Sequence, residues 1–323
     1  MAGTRRKTDT GKDVTVKDGT VVRRTVGIPS QGLQLRGWLY LPADLRRGKH
    51  PALVLANAMT AVKEITLPGY AERFAAAGFI SLVFDYRFWG ESDGEPRNHI
   101  VPYEMQQDIR NAITWLGDQP EVDLSRIGGW GISLGGGHML YLATFDRRLK
   151  AVVATATAVD GLATSELQMG GREALHGVMF QIGQDRVARY KTGAPATYKT
   201  AWGKPGEDVL LPVQEAYDFY SEAQRTIAPN FENRITIQSM ENMLEFNPDC
   251  AIRMASPTAV LIVHAEHDVI PVQLVRGAYE RALEPKKLVV MDCKHTDLYD
   301  KEPWVTKSAD EAIAWFRKYL PGA

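Results

Sequence analysis

One short segment, residues 129–137, constrains the fold of this chain more than any other. It reads G-W-G-I-S-L-G-G-G, so Ser133 has a glycine two residues before it and another two residues after it. The apolar residues 127–130 predict a strand before this segment, and residues 134–143 predict a helix after it. A G-x-S-x-G sequence between a strand and a helix is typical of a sharp turn that exposes a serine hydroxyl at the carboxyl end of a sheet. We therefore predict that Ser133 is a nucleophile.

Strands and helices alternate along the rest of the chain. Two extended segments, residues 20–28 and 33–41, are joined by a turn and are expected to pair as antiparallel strands. Further strands are predicted at 52–56, 79–85, 151–158, 259–264 and 288–291, and further helices at 69–77, 103–116, 275–282 and 310–319. This alternation predicts an α/β fold with a mostly parallel central sheet and helices on both faces.

The alternation stops between residues 159 and 247. A structureless loop of about 90 residues is uncommon inside a compact domain, so we predict a partly helical lid inserted between two strands. The predicted organisation is a flexible N-terminus at 1–19, a catalytic domain at 20–158 and 248–323, and a lid at 159–247. We expect the lid's apolar residues to be buried against the sheet edge, lining an acyl pocket, forming the lid's own core or contacting a second copy in a homodimer. They include Met169, Leu175, Val178, Met179, Phe180, Tyr217, Phe219 and Tyr220.

A serine hydroxyl needs a base to become a good nucleophile. Asp268 follows the predicted strand at 259–264, and His295 follows the predicted strand at 288–291. The carboxyl ends of parallel strands meet at one edge of a sheet, so Ser133, Asp268 and His295 are expected to converge there. His295 would then accept the proton of Ser133, and Asp268 would orient the imidazole and stabilise the imidazolium. Glu266 and Asp160 remain alternatives for the acid.

A tetrahedral intermediate also needs hydrogen-bond donors for its oxyanion. The backbone N–H of Leu134, directly after the predicted nucleophile, is one expected donor. The second is expected from the loop after the strand at 52–56, where we choose the backbone N–H of Met59.

Composition and motifs exclude several other classes of function. Lys and Arg together number 38 and Asp and Glu 39, so the net charge of −1 gives no reason to expect a nucleic-acid partner. No apolar run approaches the roughly 18 residues of a membrane span, and no signal peptide is recognised, so we expect a cytoplasmic protein. The chain has two cysteines, no HExxH motif and no G-x-G-x-x-G after a strand. We therefore expect neither a metal nor an organic cofactor.

Taken together, these motifs resemble the α/β-hydrolase superfamily across residues 20–320. The segments that carry the resemblance are V-K-E at 62–64, D-Y-R-F-W-G-E-S at 85–92, the Ser133 turn and E-A-Y-D-F-Y at 215–220, with Asp268 and His295. Within the superfamily the chain is similar to the dienelactone-hydrolase and acyl-peptidase-like branch, close to bacterial YcjY-type hydrolases and fungal polyketide transferases. Many of these relatives have His-Gly where this chain has Asn57-Ala58. In the segment at 85–92, Asp85 and Arg87 are expected to pair with each other.

The resemblance implies acyl chemistry through a seryl ester. The leading hypothesis is a serine hydrolase that cleaves esters or thioesters of a small-molecule acyl substrate. An acyltransferase with the same three residues is one alternative, and hydrolysis of an amide or C–C bond is another. A non-catalytic binding protein that kept the fold is a further alternative, but such a protein would be expected to lack part of the triad.

Overall fold

A twisted sheet forms the centre of the computed structural model, which describes residues 13–323. In these residues the strands are β1 (Val14–Val16), β2 (Val21–Ser30), β3 (Leu33–Pro42), β4 (His50–Ala56), β5 (Ile80–Phe84), β6 (Val122–Ile132), β7 (Leu149–Thr155), β8 (Tyr198–Thr200), β9 (Arg234–Thr236), β10 (Ala259–His267) and β11 (Lys286–Lys294). The central sheet has the strand order β1-β2-β3-β5-β4-β6-β7-β10-β11, while β8 and β9 pair separately.

From β5 to β11 all neighbouring strands of the central sheet are parallel, whereas β1, β2, β3 and β5 pair antiparallel. Strands β4, β5 and β7 are almost completely buried, as expected for parallel strands covered on both faces. The predicted fold class is therefore confirmed. Most of the predicted flexible N-terminus lies in residues 1–12, outside the described residues, and its later part contains β1, which pairs with β2.

Helices cover both faces of this sheet. In the described part of the chain they are α1 (Leu67–Ala76), α2 (Pro102–Gly117), α3 (Leu134–Phe145), α4 (Gly161–Gln168), α5 (Arg172–Thr192), α6 (Gln214–Thr226), α7 (Ile237–Leu244), α8 (Val272–Arg281), α9 (Asp297–Asp300) and α10 (Trp304–Tyr319), with a 3₁₀ helix at Pro248–Met254. Helix α1 packs against α10, and α2 packs against α3. None of the helices in residues 13–323 combines the length and the hydrophobicity needed to cross a bilayer.

The inserted segment, residues 159–247, contains α4 to α7 and the small sheet of β8 and β9. Its two ends lie side by side. Gly161 N donates to Phe246 O at 2.8 Å, and Asn247 Nδ2 donates to Asp160 Oδ2 at 2.8 Å. The segment therefore leaves the sheet after β7 and returns to it before β10 at almost the same point.

The prediction that the apolar residues of this segment are buried is only partly right. Leu175 and Tyr220 are each 3% exposed, but Phe180 is 68% exposed. Helix α5 buries only Leu175 and Ile182, which are seven residues apart and so share one side of the helix. Much of the remaining helix surface faces solvent and includes Phe180 and Tyr190, so these aromatic side chains do not contribute to a core.

Candidate active site

Ser133 lies at the turn between β6 and α3, with a strained backbone conformation of positive φ (φ 55°, ψ −117°). Two glycines make this turn sterically feasible. A Cβ on Gly131 would lie 2.1 Å from the carbonyl oxygen of Gly135, and a Cβ on Gly135 would lie 2.1 Å from that of Ala56. Any side chain at either position would displace the backbone. The strand and helix therefore pack closely, and Ser133 remains partly exposed at the sheet edge.

Asp268 and His295 follow two neighbouring parallel strands, each at the carboxyl end. His267 and Lys294 are register partners in β10 and β11, so the next residue of each strand lies beside the other. As a result, His295 Nδ1 lies 2.6 Å from Asp268 Oδ1. The same carboxylate oxygen accepts a hydrogen bond from Ile270 N at 2.8 Å, which fixes its position.

Asp268 and His295 each favour the charged form of the other, although both are buried. Burial opposes ionisation of Asp268, but the His295 ring and the hydrogen bond to it hold the pKa of the carboxyl below its ordinary value. Burial likewise opposes protonation of His295, yet Asp268, and then Glu215, raise the pKa of the imidazole. The ionised Asp268 keeps a proton on Nδ1, so the Nε2 of neutral His295 is a hydrogen-bond acceptor.

The Nε2 atom does not contact the predicted nucleophile directly. In residues 13–323 its hydrogen-bond partner is the hydroxyl of Tyr299, at 2.9 Å, and no hydrogen bond joins Ser133 to His295. Tyr299 is 4% exposed and belongs to the short helix α9. Sequence reasoning missed this residue. No sequence signal pointed to it, because α9 has only four residues and is too short for a periodic pattern.

The two alternative acids lie elsewhere. Glu266 is exposed and pairs with Arg276 at 3.2 Å. Asp160 caps helix α4, where its carboxylate accepts from Ala163 N at 2.8 Å. Neither carboxylate is a hydrogen-bond partner of His295 in the described chain.

The loop after β4 faces Ser133 and contains Met59. Asn57 braces this loop, because its Oδ1 accepts from Ala58 N at 2.9 Å and its Nδ2 donates to Val62 O at 2.7 Å. Within residues 13–323 the backbone N–H groups of Met59 and Leu134 donate to no protein acceptor. Leu134 is the first residue of α3, where a backbone N–H has no partner inside the helix. Both groups are therefore free to bind an oxyanion.

A buried lysine fixes the far end of the same loop, and this corrects one expectation. Asp85 pairs with Lys63 at 3.0 Å, and Arg87 pairs with Asp108 at 2.7 Å, so Asp85 and Arg87 do not pair with each other. Asp85 lies against the loop after β4, whereas Arg87 reaches the opposite way to α2. Lys63 also donates to Glu91 at 2.6 Å. Burial disfavours the charged form of Lys63, but these carboxylates raise its pKa and keep it ionised.

A cavity of about 110 Å³ opens next to Ser133 and His295. The inserted segment supplies most of its lining. Its apolar wall is formed by Trp202, Leu211, Val213, Met240, Met243 and Phe246. Tyr220 connects this wall to the loop after β4, because its ring stacks on Trp202 and its hydroxyl donates to Met59 O at 2.9 Å. The lining contains no lysine or arginine, and no group of metal-binding side chains was found in residues 13–323.

Comparisons with known proteins agree with this architecture. The sequence profile of the family described as X-Pro dipeptidyl-peptidase (S15 family) matches residues 31–297. Thiohydrolase aneE of Aspergillus aculeatus is 31% identical over 273 residues, covering 80% of this chain and 80% of that protein. Polyketide transferase grgF of a Penicillium species is 33% identical over 271 residues, covering 82% of this chain and 86% of that protein.

Among solved structures, the crystal structure of α/β hydrolase GrgF from Penicillium sp. sh18 has a TM-score of 0.77 and 26% identity. The match covers 93% of this chain and 99% of that chain. The inferred resemblance to hydrolases and polyketide transferases is thereby confirmed. The chain belongs to the α/β-hydrolase superfamily of enzymes, and within it to the family described as X-Pro dipeptidyl-peptidase (S15 family).

Proposed function

We propose that this protein is a serine-dependent hydrolase that cleaves carboxylic esters or thioesters through an acyl group bound to Ser133. The observation that carries the proposal is the 2.6 Å contact between His295 and Asp268, which line or adjoin the same cavity as the partly exposed Ser133. This is the arrangement of base and acid that activates a serine hydroxyl.

The proposed reaction has two halves. Ser133 Oγ attacks the acyl carbon while its proton passes to His295, and the resulting oxyanion accepts hydrogen bonds from the N–H groups of Met59 and Leu134. The intermediate collapses when His295 returns the proton to the leaving alcohol or thiol. Water then attacks the acyl-Ser133 ester by the same steps in reverse order and releases the acid.

The cavity indicates which acyl groups fit. Its wall is apolar and has no cationic side chain to neutralise a second carboxylate, which favours an uncharged, partly apolar acyl group. Because the inserted segment supplies most of this wall, we propose that residues 159–247 act as the lid of the site. A relative named as a thiohydrolase supports thioesters as substrates.

Acyl transfer is the second candidate, since another relative is named as a polyketide transferase. Ser133, His295 and Asp268 would keep their roles, and an alcohol or amine would take the place of water. Incubation of an activated ester with graded concentrations of an alcohol separates the two reactions. A transfer product that accumulates at millimolar acceptor, at the expense of free acid, would favour the transferase.

Replacing the nucleophile tests the proposal directly. Ser133→Ala should lower kcat on p-nitrophenyl esters and acyl thioesters by a factor on the order of 10³–10⁶ and abolish labelling by a fluorophosphonate probe. Ser125→Ala is the matched control, because Ser125 lies in the same strand but is exposed away from the cavity. Turnover by Ser133→Ala within a factor of ten of the unmodified enzyme would refute the proposal. If Ser133→Ala is inactive, esters of graded acyl chain length define the preferred acyl group of the unmodified enzyme. An X-Pro p-nitroanilide tests whether it also cleaves an amide bond.

A further inference from the structure

The loop after β4 forms a strained turn around the proposed oxyanion donor. Ala61 N donates to Ala58 O at 3.3 Å, which closes a turn whose central residues are Met59 and Thr60. Thr60 has a positive φ of 67° and Met59 does not, which is the pattern of a type II turn. Glycine or asparagine is usual at the third position of such a turn, and a β-branched residue is strained there. Other contacts must therefore hold this turn in shape.

The inserted segment contacts both central residues of this turn. Within residues 13–323 the Tyr220 hydroxyl donates to Met59 O at 2.9 Å, and Trp202 Nε1 donates to Thr60 Oγ1 at 2.8 Å. A carbonyl oxygen can only accept and an indole N–H can only donate, so the chemistry of the groups fixes the direction of both bonds. Burial raises the pKa of Tyr220, so its hydroxyl stays protonated and able to donate.

The hydrogen bond from Tyr220 acts on the part of the turn that can rotate. Turns of types I and II differ mainly in the orientation of the peptide between the two central residues, which here is the peptide that carries Met59 O. A hydrogen bond to that oxygen holds the peptide in the orientation that gives Thr60 its positive φ. The turn then keeps one conformation, and with it one orientation of the free Met59 N–H.

Tyr220 is itself held in place by aromatic packing. It is 3% exposed and stacks on Trp202, at a centroid distance of 5.4 Å and an angle of 14°, and on Phe231, at 5.1 Å and 13°. Asn233 fixes the backbone of Trp202, because it accepts from Trp202 N at 2.9 Å and donates to Trp202 O at 2.8 Å. The three rings come from separate parts of the inserted segment, so this segment must be folded to place the Tyr220 hydroxyl.

We propose that Tyr220, with Trp202, positions the oxyanion hole, so that the inserted segment contributes to the chemical step as well as to the choice of acyl group. This inference rests on the proposed roles of Ser133 and of the Met59 N–H. The oxyanion forms only as Ser133 bonds to the acyl carbon, and a donor fixed beforehand stabilises that state more than the bound substrate. Loss of the Tyr220 hydroxyl should therefore slow the reaction of every acyl substrate.

Tyr220→Phe tests this role, because it removes the hydroxyl and keeps the stacked ring. Its kcat on p-nitrophenyl esters should fall by about 10–100-fold, less than the loss of a whole oxyanion donor, with KM nearly unchanged. The specific measurement is the affinity for an alkyl trifluoromethyl ketone, which adds to Ser133 and forms an oxyanion. This affinity should weaken by a similar factor, whereas the affinity for the matching methyl ketone, which binds without adding, should stay the same.

The second hydrogen bond gives an independent test that leaves Tyr220 unchanged. Thr60→Val removes the acceptor for Trp202 Nε1 at nearly the same side-chain volume, and it should lower kcat and the trifluoromethyl ketone affinity together. Thr60→Ser keeps an acceptor and should recover most of this loss. Equal values for the two Thr60 variants would contradict the proposal, whether or not Tyr220→Phe is stable.

Tyr70→Phe is the matched control. Tyr70 is a buried phenol that likewise donates to a backbone carbonyl, Leu298 O, at 2.8 Å, but it does not line the cavity. This variant should lower the melting temperature about as much as Tyr220→Phe does. The ratio of its affinities for the two ketones should stay that of the unmodified enzyme.

Two results for Tyr220→Phe would overturn the proposed positioning role. One is an unchanged kcat, and the other is a lower kcat with an unchanged ratio of the two ketone affinities. After either result, an inactive Ser133→Ala variant would leave the proposed hydrolase in place, whereas an active one would refute the underlying function instead.

Discussion

At the scale of single residues, the ionisation of His295 should set the pH dependence of the reaction. His295 must be neutral to accept a proton, and Asp268 and Glu215 raise its pKa in the folded protein despite burial. The value of kcat/KM should therefore be maximal above the raised pKa of His295 and should fall as the pH decreases through that pKa. The nearby His264 stays neutral, since burial lowers its pKa, so it should not add a second step.

Asp268→Asn tests this prediction, because it removes the charge that raises the pKa of His295. The acid limb of kcat/KM against pH should move to lower pH, while the plateau falls by up to about 10⁴ because the imidazole loses its preferred tautomer. Glu215→Gln should move the limb in the same direction and by less, since Asp268 contributes more than Glu215. An acid limb that stays in place in Asp268→Asn would contradict the assignment of the acid.

The residues of the site differ in how far the sequence could predict them. The proximity of Asp268 and His295 was predictable, because each follows a strand and the strands are neighbours in a parallel sheet. The role of the site residues stays a prediction until variants are measured. Tyr299 was not predictable, because its position depends on α9, a helix of four residues that is too short for a periodic pattern. The pairing of Asp85 was predicted wrongly, because Lys63 lies 22 residues earlier and approaches only in the folded loop.

At the scale of elements, the β6–Ser133–α3 turn depends on close packing that only glycine permits. Gly135→Ala should abolish both activity and fluorophosphonate labelling and lower the melting temperature, because its Cβ would collide with the backbone of Ala56. Gly183→Ala is the matched control, since the same change in α5 meets no atom within 4 Å. It should stabilise the protein by about 0.5–1 kcal/mol through helix propensity. Thermal unfolding and labelling measure both effects, and an active, stable Gly135→Ala variant would exclude this account.

The positions of the strands were easiest to predict from the sequence where the strands are completely buried. Strands β4, β5 and β7 are nearly all apolar, so their positions were clear from hydrophobic runs. The inserted segment is less regular, because β8 and β9 have three residues each and α5 exposes most of its surface. Aromatic content alone therefore gave the wrong burial for Phe180, which is 68% exposed.

At the scale of the whole molecule, the sheet carries the proposed chemistry and the inserted segment forms the wall of the cavity. Trp202→Ala and Phe246→Ala should change the ratio of kcat/KM between short and long acyl esters, because both side chains line the cavity. The wider cavity should favour longer chains, by about tenfold for each large group removed. Tyr190→Ala is the control within the same segment, since this side chain is 90% exposed and lies outside the cavity lining. An equal change for all esters in the first two variants would show that the segment only stabilises the fold.

The two ends of the inserted segment lie side by side, and this has a consequence for how the substrate preference of the enzyme can change in evolution. Gly161 forms a hydrogen bond with Phe246, and Asp160 forms one with Asn247, so the two connections between the segment and the sheet are adjacent. Because these connections are adjacent, the segment can be exchanged as a unit between related chains without changing the register of β7 against β10. Chimeras cut at residues 159 and 247 between this chain and a relative should fold, and each should carry the acyl preference of the parent that donated the segment. Evolution can use the same route, recombining new specificities onto unchanged chemistry.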